Sequence, residues 1–71
     1  MTHQIVAELV GSVLAVPVAL GDSVAEGDTI VLIESMKMEI PVLTEQAGTV
    51  REIKVAQGDV VQEGDVMAVV D

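Results

Sequence analysis

No cysteine and no aromatic side chain occurs anywhere in this chain. Without cysteine there is no disulfide staple and no thiolate metal site. Without Phe, Tyr or Trp there is no ring on which an unpaired base could stack, which argues against binding of single-stranded nucleic acid. Basic side chains are almost as scarce. Lys37, Arg51 and Lys54 stand against 12 Asp and Glu residues, for a net charge of -9. That charge opposes contact with phosphate backbones and with anionic lipid. No apolar run approaches the ~20 residues needed to span a bilayer. The stretch Met1-Thr2-His3-Gln4 offers neither a basic region nor a long apolar segment, so no signal peptide is visible and a cytoplasmic location is the expectation. The lone histidine, His3, lies near an end expected to be mobile, and no Ser/His/Asp or Cys/His set can be assembled without it. No catalytic residue and no metal site is expected.

What is present is aliphatic. Valine and isoleucine supply 20 of the 71 residues, and β-branched side chains favour strands over helices. A chain of this length makes one small unit, residues 1–71, with a stability of about 4–10 kcal/mol. Strands are expected at about residues 4–9, 13–18, 23–25, 30–35, 38–43, 50–55, 60–62 and 66–70, with no helix. Pro17 removes a donor and belongs at an edge or bend, and Pro41 can do the same.

The chain repeats itself at an offset of 37. Gly11-Ser12-Val13 matches Gly48-Thr49-Val50, and Gly21-Asp22 through Gly27-Asp28 matches Gly58-Asp59 through Gly64-Asp65. Between residues 7–34 and 44–71, 11 of 28 positions are identical. Two strand-rich halves, each covering a face of the other, imply a pseudo-two-fold flattened barrel or small sandwich. The glycines of the repeated turns supply positive φ and the aspartates turn hydrogen bonds. Their acidic spacing does not match a calcium-binding loop. Val24 and Val61 read as matching core plugs, and Gly11 and Gly48 as equivalent tight corners. Glu8, Glu45, Glu52, Glu63 and Asp71 have no evident partner and read as solvated surface.

The halves are joined by residues 35–43. Strand-like runs flank Glu34-Ser35-Met36-Lys37-Met38-Glu39, which leaves Met36-Lys37 at the tip of a tight hairpin. Two-residue turns of this kind need positive φ and favour Asn-Gly; Met-Lys breaks that rule, and a broken local rule marks a place to look for function. The repeat puts this tip at one pole and the chain ends at the other. The exposed chemical group would be a primary amine bracketed by two thioethers. The thioethers either pack at the hairpin end or are buried against a partner.

These six residues resemble the attachment hairpin of biotinyl domains, the carrier modules of biotin-dependent carboxylases, and the likeness runs from about Ala7 to Asp71. It is closest to short, free-standing bacterial biotinylated proteins. The resemblance implies an all-β barrel-sandwich hybrid of two four-stranded antiparallel sheets. It implies biotin in amide linkage on Lys37, with Met36 and Met38 presenting it. Glu34, Ser35 and Glu39 would serve recognition by a biotin protein ligase, or the two glutamates would simply be a solvated flank. The implied role is to carry a carboxyl group between biotin carboxylase and carboxyltransferase, as a monomer and not as an enzyme. The sister lipoyl domains usually show Asp-Lys-Ala at this place, so Met-Lys-Met favours biotin over lipoate and a 2-oxo acid dehydrogenase-type complex. An unmodified binding or assembly module is the third possibility. The chain departs from the family in having Ala7-Glu8 and Thr44-Glu45 where Ala-Pro is common, and it has no protruding insertion between its strands.

Overall fold

The computed structural model describes residues 2–71; Met1, which opens the expected 1–71 unit, lies outside them. Eight strands follow in order: β1 (His3–Val6), β2 (Gly11–Ala15), β3 (Ser23–Val24), β4 (Thr29–Ser35), β5 (Met38–Leu43), β6 (Gly48–Ile53), β7 (Val60–Val61) and β8 (Val66–Val70). They form two four-stranded sheets, ordered β1-β8-β6-β3 and β5-β4-β2-β7, and all pairings are antiparallel. A shift of 37 residues, upward for β1 and β3 and downward for β6 and β8, converts one sheet into the other. Even the irregularities are copied: the register shift between Val13 and Ala15 recurs between Val50 and Glu52.

Neither sheet belongs to one half of the chain. In each, two strands from one half pair with two from the other, so the aliphatic faces cannot be covered until both halves are present. Between them lies a core of Ile5, Val13, Ile30, Val31, Ile33, Val50, Val61 and Met67, each no more than 2% exposed. Val24 and Val61 are buried at matching positions, as plugs should be. In β4 the successive residues Ile30 and Val31 are both fully buried. The pairing shifts register between Thr29 and Val31, and a bulge of this kind re-aims one side chain relative to strict alternation.

Four turns close the structure. Gly21, Gly27, Gly58 and Gly64 have φ of 88, 92, 95 and 94°, a region that costs a side-chain-bearing residue strain. The aspartate after each glycine accepts a hydrogen bond from the backbone N–H three residues back: Ala19 and Ala25 donate to Asp22 and Asp28, and Ala56 and Gln62 to Asp59 and Asp65, all at 2.8–2.9 Å. The turn chemistry read from the repeat is therefore in place.

Four expectations need correction. His3 is not in a loose end; it opens β1 in register with Val70. The strands β1, β2 and β6 begin one or two residues early and stop two or three early, so Pro17 falls beyond β2, while Pro41 sits in β5, an edge strand. Asp71 and Glu52 are not unpaired: Arg51 contacts Asp71 at 2.7 Å and Lys54 contacts Glu52 at 3.5 Å. Gly11 and Gly48 are not corners but the first residues of β2 and β6, required by close approach. A Cβ on Gly11 would collide with Ile33 Cγ2 and lie 2.7 Å from the Glu34 carbonyl oxygen.

Gly11→Ala must therefore push β4 away from β2. We expect a loss of about 2–3 kcal/mol, the upper range for overpacking. Gly64→Asn, with open space around its Cβ, should cost only about 1 kcal/mol of φ strain. Urea melts of the two variants check the ordering.

Candidate functional site

β4 and β5 form the longest ladder of the molecule, with six registered pairs from Thr29↔Leu43 to Ser35↔Met38. The ladder leaves two residues for the turn, and its strand twist selects a turn in which both are left-handed. Met36 and Lys37 accordingly have φ of 53 and 62°; they are the non-glycine residues with positive φ among those described. Such a conformation costs roughly 1–2 kcal/mol per residue and persists because the ladder on both sides over-determines it.

Three features fix where this tip stands. Ser35 Oγ donates a 2.7 Å hydrogen bond to the carbonyl oxygen of Val10, tying the hairpin to the β1–β2 loop. Below it Ile33, paired with Ile40, is buried in the core. The tip is also remote from the chain ends. β4 runs seven residues from Thr29 to Ser35, about 23 Å at strand rise. Its start follows the turn after Val24, which is registered with Gly48, and a Cβ on Gly48 would lie 2.6 Å from the Asp71 carbonyl oxygen. In a molecule of 32 × 18 × 18 Å, Lys37 and Asp71 thus mark opposite poles.

Lys37 is exposed. Arg51 and Lys54 are each matched with a carboxylate; among the described residues Lys37 alone of the three basic side chains has no ion-pair partner. Met36 is 87% exposed and Met38 58%. Neither thioether is held in this chain's core, so packing at the hairpin end does not account for them. Glu34 and Glu39 are directly opposed on the ladder and exposed. Facing like charges cost up to about 1 kcal/mol, so this pair is not there for stability. The arrangement offers an exposed primary amine on a rigid base. No cluster of three or more His, Asp or Glu able to hold a metal occurs among the described residues.

The hairpin brings Lys37, Met36, Met38, Glu34, Ser35 and Glu39 together. Sequence reasoning missed Val10, whose carbonyl oxygen holds Ser35 from 25 residues away; nothing in the local pattern signals that bond. It also missed a cleft of about 330 Å³ between the free edges of β1 and β5, lined by Ile5, Leu9, Ile40, Pro41 and Leu43 among others. Lys37 does not line that cleft.

The site is thus one lysine without an ion-pair partner among the described residues, lifted by a duplicated β-sandwich on a two-residue turn. The family model described as "Biotin-requiring enzyme", for biotin/lipoyl attachment domains, matches residues 3–70; the chain belongs to this family, whose domains are carriers and not catalysts. Among curated proteins it is 63% identical over 43 residues to the "Biotinylated protein TB7.3 homolog" of Mycolicibacterium smegmatis. It is 58% identical over 43 residues to "Biotinylated protein TB7.3" of Mycobacterium tuberculosis. Each match spans 61% of this chain and 61% of the relative's length. Among solved structures, the Kluyveromyces lactis urea carboxylase superposes on the whole chain with a TM-score of 0.94 at 34% identity, over 6% of that protein. The lipoyl domain of the 2-oxoglutarate dehydrogenase complex from Azotobacter vinelandii gives 0.75 at 31% identity, covering 87% of this chain and 78% of that one. The two four-stranded sheets are those of the barrel-sandwich hybrid shared by biotin and lipoyl domains.

Replacing Met36-Lys37 by Asn-Gly would fit the left-handed turn without side-chain strain. We expect the chain to gain about 1–3 kcal/mol of stability, read as a higher urea midpoint, while the amine is lost.

Proposed function

We propose that residues 1–71 form one biotin carrier domain, with biotin joined by an amide bond to the Nζ of Lys37. The observation that carries this is an exposed amine without an ion-pair partner, held on a strained turn at the pole opposite the chain ends. The family membership, the biotinylated relatives and the fit to a carboxylase domain all support it. The amine has the reach and freedom the attachment requires, because Lys37 is exposed and has no ion-pair partner among the described residues.

The chain's own part in attachment is nucleophilic. Unprotonated Nζ forms the bond to the acyl carbon, the leaving group departs with its electron pair, and the amine proton passes to a base. Neither the base nor the activated acyl donor is supplied here, so a biotin protein ligase must bring both. Met36, Met38, Glu34, Ser35 and Glu39 form the surface such a ligase meets. Attached biotin supplies a site for reversible carboxylation. Tethered on Lys37, it is delivered between a biotin carboxylase and a carboxyltransferase at an effective concentration on the order of millimolar or more. The rigid hairpin serves as the fixed base of that arm. In this function the protein is a cytoplasmic monomer. A net charge of -9 works against self-association.

A second group deserves weighing because a lipoyl domain superposes well on this chain. It would use the same Lys37 and differ in its partners. The thioether bracket, with no Asp-Lys-Ala at the tip, favours biotin.

Intact mass after co-expression with a biotin protein ligase separates these readings. The expected result is a gain of one biotinyl group that vanishes in Lys37→Arg, since a guanidinium stays protonated and does not acylate. A biotinyl gain that persists in Lys37→Arg, or a lipoyl gain instead, overturns the assignment.

A further inference from the structure

The internal repeat supplies its own control. Each pole is built from the same positions shifted by 37 residues, so what differs between the poles is not demanded by the fold. At the terminal pole the surface positions Ser23, Gln46 and Ala47 are polar or small, and all three are exposed. Their counterparts at the Lys37 pole are Val60, Leu9 and Val10, exposed by 68, 38 and 60%. Nothing in the sandwich needs these side chains to be larger or more apolar, because the equivalent places are filled without them.

Val10 and Val60 adjoin the hairpin, and Leu9 precedes Val10 in the β1–β2 loop. Val10 is bound through its carbonyl to Ser35. Val60 pairs with Ser12, which pairs with Glu34, and Glu34 with Glu39. One outward row therefore runs Glu39, Glu34, Ser12, Val60 across the sheet, with Val10 beside it and Met36 and Met38 above. The charges differ between poles as well. Asp71, the counterpart of Glu34, is matched by Arg51; position 14, the counterpart of Arg51, is leucine. Glu34 and Glu39 have no ion-pair partner among the described residues.

We propose that Leu9, Val10 and Val60 extend the Met36/Met38 bracket into one docking surface for the biotin protein ligase, whose complementary seat is apolar and flanked by basic side chains. This rests on the carrier reading above. The surface is continuous with the amine that the ligase must reach. The Ser35–Val10 bond makes loop and tip one body, so they dock together with little ordering cost. The unneutralised carboxylates Glu34 and Glu39 fix the sign of the charge they meet.

The test uses substitutions taken from the other pole, which the fold already accommodates: Val10→Ala with Val60→Ser, and separately Leu9→Gln. Initial rates of biotinylation by a biotin protein ligase are measured against carrier concentration. For the double variant we expect KM to rise about ten-fold with kcat unchanged, the size expected when two half-exposed valines leave an interface. The mirror variant, Ser23→Val with Ala47→Val, should leave KM unmoved. Added salt should raise KM for the unaltered chain, because exposed charges are screened. Urea midpoints report whether any variant is simply unfolded, and Leu9→Gln then stands in for it. A KM unchanged in the double variant and in Leu9→Gln, or raised equally by the mirror variant, overturns the docking surface alone. A KM indifferent to salt overturns its basic flank. If the unaltered chain accepts no biotin, the carrier reading fails and this surface fails with it.

Discussion

Backbone closure between the two halves is the constraint on which the rest depends. Each Gly-Asp turn reaches across the repeat. The Gly21 N–H donates to the Val50 carbonyl, and the Val50 N–H donates to the Asp22 carbonyl, both at 2.9 Å. Gly58, Asp59 and Val13 repeat the pattern, Gly27 and Asp28 make it with Thr44, and Gly64 and Asp65 with Ala7. A buried backbone group without a partner costs as much as a lost hydrogen bond. Ala7, Val13, Thr44 and Val50 are all buried, so each half leaves such groups orphaned until the other arrives. This explains how a core without a single aromatic ring can hold: cross-half ladders and eight clamp bonds add to the burial of valine and isoleucine.

Closure of this kind also fixes the chain where it enters the second strand of each half. Ala7 and Thr44 are the clamped residues, and both keep their N–H donors in use, to Asp65 and Asp28. Glu8 and Glu45, which stand where proline is common, are exposed and lie outside the strands. Thr44 adds a local brace: its hydroxyl donates to the Gln46 carbonyl at 2.7 Å and accepts from the Gln46 N–H at 3.2 Å. Chain direction at these entries is thus held by hydrogen bonds.

Most of this architecture was legible in the residues themselves. Aliphatic runs separated by Gly-Asp pairs gave eight strands, each overlapping its observed counterpart, and the offset of 37 gave the pseudo-symmetry. Met36-Lys37 gave itself away by violating turn chemistry, and the structure places both residues at positive φ. What failed were features set by distance in space. The Arg51–Asp71 pair joins residues 20 apart and follows from the Val50↔Val70 register, which no local pattern encodes. Gly11 looks like a corner because glycine usually signals one; here it signals that the Glu34 backbone passes too close for a Cβ. Strand ends were read late because valines continue past Ala15 and Ile53, although those residues only pack on the core from outside the ladder.

The tight turn can be weighed against its alternative. Holding Met36 and Lys37 left-handed costs roughly 2–4 kcal/mol together, a large share of the total for a chain this small. A longer loop rich in glycine would remove that strain. It would also leave several residues to be ordered whenever a partner engages, at roughly 1–2 kcal/mol each. The two costs are comparable, but they fall at different moments. Strain is borne once, on folding, where the six-pair ladder offsets it. Ordering would be borne at every docking event. Under the carrier function proposed above the first arrangement is the favourable one, because the amine's position is then a property of the fold and not of any one complex.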